Sequence, residues 1–462
     1  MKILTKRAFG LLLLVLILLL GLTVFTFRYV KDARTWAQYP TNKHLFQNGQ
    51  LLSTGEIRDR NDEILYKAEN GVQRFHSSET IRKALMHTTG DSYGNVATSV
   101  QVAFGDKLSG WGPVNGAYRF NDSSFGSNLK LTLDAELCAE AYQALKGRKG
   151  TVGVYNYKTG ELLCMVSSPT FDPENHPDVA ANPEKYEGVY LNRLISAAYT
   201  PGSVFKLVTA AAAIDKLPDY SNRVFHCEGE KLIDGDKVTC PSPHGDVTLT
   251  QALAVSCNIA FAEISLELGG DTLQNYAEKA GFNGNLEIDG IKAAKGKINT
   301  AGAKGGDLAW AGIGQYNDTA NPLTFMAYMG SIANQGIRVS PRLIDKNSGI
   351  LKLLPDLGPE KKRILNKATA DTLKAMMRNN VTEEYGEKNY KGLELCAKSG
   401  TAQVGGDKAP HSWFAGFMDR QDCPLAFVVV VENGGAGSKV AGAVAAKVLK
   451  AAAERMVSDN TQ

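Results

Sequence analysis

The run Ala8–Phe27 holds twenty residues without a charge and is dominated by leucine. As a helix rising 1.5 Å per residue it is about 30 Å long, the thickness of a bilayer's hydrocarbon core, so the rest of the chain has to fold beside a membrane span. Lys2, Lys6 and Arg7 precede the run. The positive-inside bias therefore places residues 1–7 in the cytoplasm and everything after Arg28 on the other side. A cleaved secretory signal is the competing reading. Its apolar core spans only roughly 7–15 residues and ends at a small-residue site, whereas no clear A-x-A site follows closely on Phe27. An uncleaved, single-pass anchor in the cell membrane is expected, with the bulk of the 462 residues extracytoplasmic. That bulk exceeds one average domain, and 44% apolar content supplies a packed core. A net charge of +3 without a basic run gives no support to nucleic-acid binding.

Three short motifs follow in order: Ser203-Val204-Phe205-Lys206, Ser256-Cys257-Asn258 and Lys398-Ser399-Gly400. Serine acyl-transfer enzymes built on S-x-x-K, S-x-N and K-[ST]-G need them in that order. Each motif has a decoy: Ser127 to Lys130, Ser458 to Asn460 and Lys158 to Gly160. Asn460 has no K-[ST]-G after it, and no S-x-N precedes Lys158 after either serine–lysine pair. Order alone selects Asn258 and Lys398. Local structure then chooses between the serines. Ser127 leads into the alternation Leu129-Lys130-Leu131-Thr132-Leu133, which reads as a strand, where residues three apart face opposite ways. Ser203 follows Pro201-Gly202 and opens the Ala-rich run Val204–Ile214, a helix start at which i and i+3 share a face. Lys206 can therefore reach the Ser203 hydroxyl.

Seven cysteines in an exported chain permit disulfides and leave at least one thiol unpaired. Cys227 and Cys240 flank a turn tipped by Asp234-Gly235-Asp236, and a hairpin clasped by their disulfide is expected if the compartment is oxidising. Four zinc ligands, His226, Cys227, Cys240 and His244, are the other reading of the same stretch, though the spacing is not that of a familiar finger. Neither metal nor cofactor is expected. Cys257 reads as a small buried residue, since no His and Asn partner is placed to activate it.

After the anchor the chain is polar and weakly periodic to about Asn128. Ala135–Leu145 reads as an amphipathic helix and Thr151–Ser167 as two strands around a Lys158-Thr159-Gly160 turn. Helices dominate Asn192 to about Gly281, interrupted by a loop from Cys227 to Gly245. Pro322–Gln335 is a further helix closed by Gly336. Leu393–Val404, Ser412–Asp419 and Leu425–Val431 are three successive strands, and Gly437–Met456 is a long helix. Consecutive strands with short turns give an antiparallel sheet, and the helices around it must cover its faces. The fold class is α+β.

Chemically, a serine hydroxyl is a poor nucleophile until its proton is removed. Lys206 suits that role if burial keeps the amine neutral, and Ser256 offers a hydroxyl to pass the proton toward a leaving amine. Asn258 presents a donor and an acceptor to a substrate amide. Lys398, at the edge of the site, adds a positive charge, and Ser399 and Thr401 add hydroxyls, a set suited to a carboxylate. The backbone N–H groups of Ser203 and Thr401 are natural oxyanion donors.

The segments Tyr199–Lys206, Lys398–Gln403, His411–Phe417, Leu163–Pro173 and Gly312–Gln315 resemble the transpeptidase domains of class B penicillin-binding proteins. The resemblance runs from about Leu129 to the C-terminus, and Arg58-Asp59-Arg60-Asn61-Asp62 is similar to the start of that family's N-terminal pedestal. It implies a membrane helix over 8–27, a β-rich pedestal domain over 28–128 and a penicillin-binding domain over 129–462 of the serine transpeptidase/β-lactamase-like type. It also implies a peptidoglycan D,D-transpeptidase serving cell-wall synthesis, in elongation, division or sporulation, with stem peptides as substrates and β-lactams as inhibitors. A polytopic membrane glycosyltransferase is the implied partner. A D,D-carboxypeptidase and a non-enzymatic β-lactam sensor are the alternatives. No segment resembles a glycosyltransferase domain. Three positions depart from the family pattern: Ser399 replaces the commoner Thr, Tyr316 stands where a Gly is usual, and Asn321 where a Thr is usual. The first keeps the hydroxyl.

Overall fold

The computed structural model describes residues 2–37, 46–47, 50–51, 54–109, 127–345 and 358–459. Asn460 and part of the expected pedestal lie outside the described residues. The apolar run sits within one helix, α1 (Lys2–Ala37), whose stretch Thr5–Tyr29 is long and apolar enough to cross a membrane. Its leucines are exposed, which in water would be untenable for so many adjacent apolar side chains.

A small sheet follows, with β1 (Ile57–Arg58), β2 (Ile64–Glu69) and β3 (Val72–Phe75). Asp59 opens the turn of the Arg58–Asp62 segment, accepting the N–H groups of Asn61 and Glu63, and Asp62 takes the left-handed conformation there (φ 65°). Helix α2 (Glu79–Thr89) comes next. The fourth strand of this sheet, β4 (Leu129–Lys130), lies at the very start of the expected transpeptidase domain and pairs in parallel with β1. Lys130 points away from the core and pairs with Asp62 at 2.7 Å, so the Ser127–Lys130 decoy is a strand edge with its lysine occupied.

The main body is a five-stranded antiparallel sheet. Its strands are β5 (Gly150–Asn156), β6 (Leu162–Ser168), β11 (Leu395–Ala402), β12 (His411–Met418) and β13 (Leu425–Val431), in the order β11-β12-β13-β5-β6. The three C-terminal strands thus add to the N-terminal hairpin, closing the sheet across a long stretch of chain. Every residue of β5, β6 and β13 is buried, so these strands are covered on both faces. Helix α3 (Ala135–Leu145), capped by the Asp134 carboxylate on the Leu137 N–H, packs with α11 (Gly437–Asp459) on one face. On the other lies α9 (Pro322–Ala333), apolar all round and buried.

Between the two halves of the sheet come α4 (Lys206–Lys216), α5 (Leu249–Ala254), α6 (Asn258–Leu268), α7 (Gly270–Ala280) and α8 (Gly305–Gly312), and after α9 comes α10 (Lys367–Asn380). The segment expected as a loop from Cys227 to Gly245 is instead two nested ribbons. β7 (Val224–Cys227) pairs with β10 (Gly245–Thr248), and β8 (Glu230–Ile233) with β9 (Asp236–Thr239). Asp234 and Gly235, both at positive φ (48° and 93°), make the two-residue turn that matches strand twist. The alternation there is too short to read as strands without its partners.

One departure from the family pattern has a local reason. The Asn321 side chain accepts the Thr324 N–H as an N-cap and donates its amide to the carbonyls of Ile195 (2.9 Å) and Ala197 (2.8 Å), a double duty that a threonine hydroxyl lacks the reach to perform. Tyr316 adopts a φ of 68°, the left-handed conformation that glycine enters freely.

Candidate active site

Gly202–Val204 is a single 3₁₀ turn leading directly into α4, and it places Ser203 at the mouth of the helix. Trp413 on β12 pins the segment ahead of it by donating its indole N–H to the Thr200 carbonyl at 3.0 Å. The turn lies hard against β11: a Cβ at Gly400 would sit 2.9 Å from the Pro201 carbonyl oxygen, so the third motif needs its glycine for close approach. Ser203, Ser256, Asn258, Ser399 and Thr401 line one cavity of about 360 Å³, together with Gln315. Residues from all three motifs thus face the same space.

The Lys206 side chain is fully buried. Its Nζ donates to the Ser256 carbonyl (2.6 Å) and to Asn258 Oδ1 (2.7 Å), and lies 3.3 Å from Ser256 Oγ. Burial pulls its pKa down to about 7, opposed by the nearby thiols of Cys257 and Cys240. With two amine hydrogens committed to carbonyl oxygens, the neutral form keeps a lone pair for a proton from a neighbouring hydroxyl. Ser256 sits at φ 57°, a strained value for a serine, and backbone strain of this kind gathers at functional sites.

Lys398 was expected at the edge of the site with an open positive charge. It is fully buried instead, with Nζ donating to Ser256 Oγ (3.1 Å) and to the Ser399 carbonyl (2.9 Å). Burial, reinforced by repulsion from Lys206, holds its pKa well below the usual lysine value. The Ser256 hydroxyl is therefore shared between two amines.

Strand β11 is a sheet edge; Arg378 and Asn380 of α10 donate to its outward Leu395 and Ala397 carbonyls, and its Ser399–Thr401 end lines the cavity. Ser399 donates its N–H to the Tyr385 hydroxyl (2.9 Å), away from β12. Antiparallel pairs alternate between bonded and non-bonded, so the Thr401 N–H, two residues on, points to the same outward edge. Tyr385 ends a π-helical turn, Val381–Tyr385, after α10, and no periodicity in the sequence marks it. Its only readable signal was an aromatic residue on the approach to the third motif.

His411 is oriented as a structural residue: Nδ1 accepts the Asn433 N–H at 3.1 Å and the ring stacks edge-on against Tyr199. Glu263 and Glu267 pair with Lys231 and Arg223, each at 2.5 Å. No carboxylate lines the cavity among the described residues. The expected Cys227–Cys240 disulfide is not formed; all seven cysteines carry free thiols. Cys240 is drawn aside by the second motif, accepting the Asn258 N–H at 3.1 Å and lying 3.8 Å from Cys257 Sγ. His226 points outward to Asp246.

The family model for the penicillin-binding protein transpeptidase domain matches residues 150–450. The peptidoglycan D,D-transpeptidase PbpA of Mycolicibacterium smegmatis is 31% identical over 365 residues, covering 71% of this chain and 72% of that protein. The peptidoglycan D,D-transpeptidase MrdA of Acinetobacter baumannii is 26% identical, over 69% of this chain and 53% of that protein. Among solved structures, penicillin-binding protein A of M. tuberculosis as a ceftriaxone acyl-enzyme superposes with a TM-score of 0.74 at 23% identity, covering 87% of this chain and 98% of that one. A D,D-transpeptidase domain from Eggerthella lenta gives 0.74 at 25% identity, over 87% and 98%. With its three motifs brought to one cavity on this fold, the chain belongs to the penicillin-binding protein transpeptidase family.

Proposed function

We propose that this protein is a membrane-anchored peptidoglycan D,D-transpeptidase that works through a Ser203 acyl-enzyme and is inhibited by β-lactams. The observation that carries the reading is the buried Lys206 amine, held between Ser256 and Asn258 beside the Ser203 turn. In this scheme Lys206 takes the Ser203 proton as Oγ bonds to the penultimate D-Ala carbonyl carbon. The N–H groups of Ser203 and Thr401 receive the oxyanion. The C–N bond breaks, Ser256 passes its proton to the departing D-Ala nitrogen and recovers one from Lys206, and an amine of a second stem peptide then displaces Ser203, its proton returning to the Ser203 oxygen by way of Lys206. Ser399, Thr401 and Lys398 bind the terminal carboxylate. As that anion docks, it shifts Lys398 back toward its charged form, offsetting the desolvation.

Thr5–Tyr29 serves as the anchor, and full-length chain recovered in the soluble fraction would contradict that. The proposed partner is a polytopic membrane glycosyltransferase, whose nascent strands supply the stem peptides; co-purification from cross-linked membranes tests it. Among the described residues no carboxylate lines the cavity to activate water, so both acyl-enzymes should resist hydrolysis. Solubilised chain given a stem pentapeptide and an acceptor amine should release D-Ala mainly with formation of the cross-linked product. Penicillin should leave one long-lived adduct per chain by intact mass. Release of D-Ala without cross-linking would instead make it a carboxypeptidase, and rapid turnover of penicillin a hydrolase.

A further inference from the structure

We infer that Tyr385 is a positioning residue for the third motif. Its hydroxyl grips Ser399 at two atoms and turns the Ser399 hydroxyl hydrogen toward the cavity, where it meets the ligand's carboxylate. The inference rests on the proposed reading of Ser399 as a carboxylate ligand. The Tyr385 oxygen accepts the Ser399 N–H at 2.9 Å, and Ser399 Oγ lies 3.1 Å from that same oxygen. A phenol carries a single hydrogen. With the oxygen accepting from the backbone, that hydrogen has Ser399 Oγ as its partner. Burial pushes the phenol pKa up to about 12, so the hydrogen stays in place at neutral pH. A serine hydroxyl that accepts on one side has its own O–H to give elsewhere, and Ser399 lines the cavity. It therefore presents a donor there, which is what an anion requires.

Serine has particular need of such a partner. The branched Cβ of threonine, the commoner residue at this position, restricts χ1, whereas a serine hydroxyl samples three staggered wells. A phenol held still can select one well for Ser399. Tyr385 is held from two sides. Its ring meets Phe414 edge-on, with centroids 5.5 Å apart. Phe414 stands directly opposite Ser399 in the β11–β12 register, so the two side chains project from one face of the sheet. Phe414 is itself fully buried and is backed by Tyr390, stacked at 5.6 Å. The π-turn is fixed by Asn389, whose side-chain amide donates to the Tyr385 carbonyl at 2.7 Å. Packing thus sets where the hydroxyl lies, and both of its hydrogen bonds go to one residue.

The test compares a carboxylate-bearing penicillin with its neutral methyl ester on full-length protein in detergent, following acylation against concentration. Tyr385→Phe keeps the ring and its contact with Phe414 and removes only the hydroxyl; thermal unfolding checks that the fold is kept. For the acid, the concentration giving half the maximal acylation rate should rise roughly tenfold while the saturating rate holds, the mark of lost uniform binding. For the ester that concentration should barely move. A merely structural fault would weaken both ligands alike. Ser399→Ala should show the same preference for harming the acid. The double variant should lose little more than Ser399→Ala alone, because Tyr385 acts through the atom already removed. Equal losses for acid and ester in Tyr385→Phe, or losses that add in the double variant, would overturn the inference. A wild-type protein that captures acid and ester equally would remove Ser399 from the carboxylate site, and the role of Tyr385 with it. Failure of the wild-type protein to form any adduct would instead count against the proposed function on which that role depends.

Discussion

Ser203→Ala is expected to abolish covalent labelling by a fluorescent penicillin while the chain still folds. The side chain sits in a single 3₁₀ turn at the cavity wall, where losing a hydroxyl removes no packing and opens no internal void. The cavity, the buried lysines and the shared Ser256 hydroxyl all survive, so noncovalent capture of the lactam should persist. What disappears is the atom that forms the acyl bond, and no neighbouring group substitutes for it. Cys240 also lines the cavity but its sulfur is engaged by the Asn258 N–H. Labelling and peptide mapping give the result directly. Residual adduct on the Ser203→Ala protein, or a labelled peptide containing Ser127, would refute the assignment.

Lys206→Arg should cost about 10²–10⁴-fold in acylation rate although the formal charge is kept. A guanidinium stays protonated at any usable pH, so it has no lone pair to accept the Ser203 proton. In the wild-type protein burial brings the Lys206 pKa down to about 7. The competent species is the neutral amine, whose fraction grows as pH rises through that value, so acylation should climb across pH 6 to 8 and then level off. Lys398, the Ser256 hydroxyl and the Cys240 and Cys257 thiols face the same amine; Lys398 is the cation whose protonation would shift the midpoint further down. Because a guanidinium is larger than the amine and the site is fully buried, Lys206→Met provides a check on misfolding, and it should lose acylation equally. Near-normal acylation in either variant, or a flat rate between pH 6 and 8, would exclude lysine as the base.

The elements whose own pattern of apolar residues settles their burial were the most legible ones. The helix Ala135–Leu145 and the strand Leu425–Val431 appear with the boundaries their periodicity dictates. The Lys158-Thr159-Gly160 decoy is a hairpin turn, with Gly160 at φ 80°, as a K-T-G between two strands should be. The ribbons around Cys227 were misread as a loop, since strands of four residues with exposed faces carry almost no periodic signal and gain their identity only from the partner across the ladder.

By itself the sequence determined which serine, lysine and asparagine go together, because motif order and helix-against-strand periodicity are properties of a line of residues. It also marked the apolar run Ala8–Phe27, whose twenty uncharged residues are long enough to cross a bilayer as a helix. Only the tertiary structure decided the electrical state of the two lysines, which depends on how much water is excluded around them and therefore on every neighbour that packs against the site. The thiols followed the same rule. Spacing suggested a pair, Cys227 with Cys240, but pairing depends on distances in space, and the helix start at Cys257 brings a third sulfur to Cys240 from 17 residues away. Tyr385 likewise reaches Ser399 only because a π-turn aims it across the edge of a strand formed later in the chain.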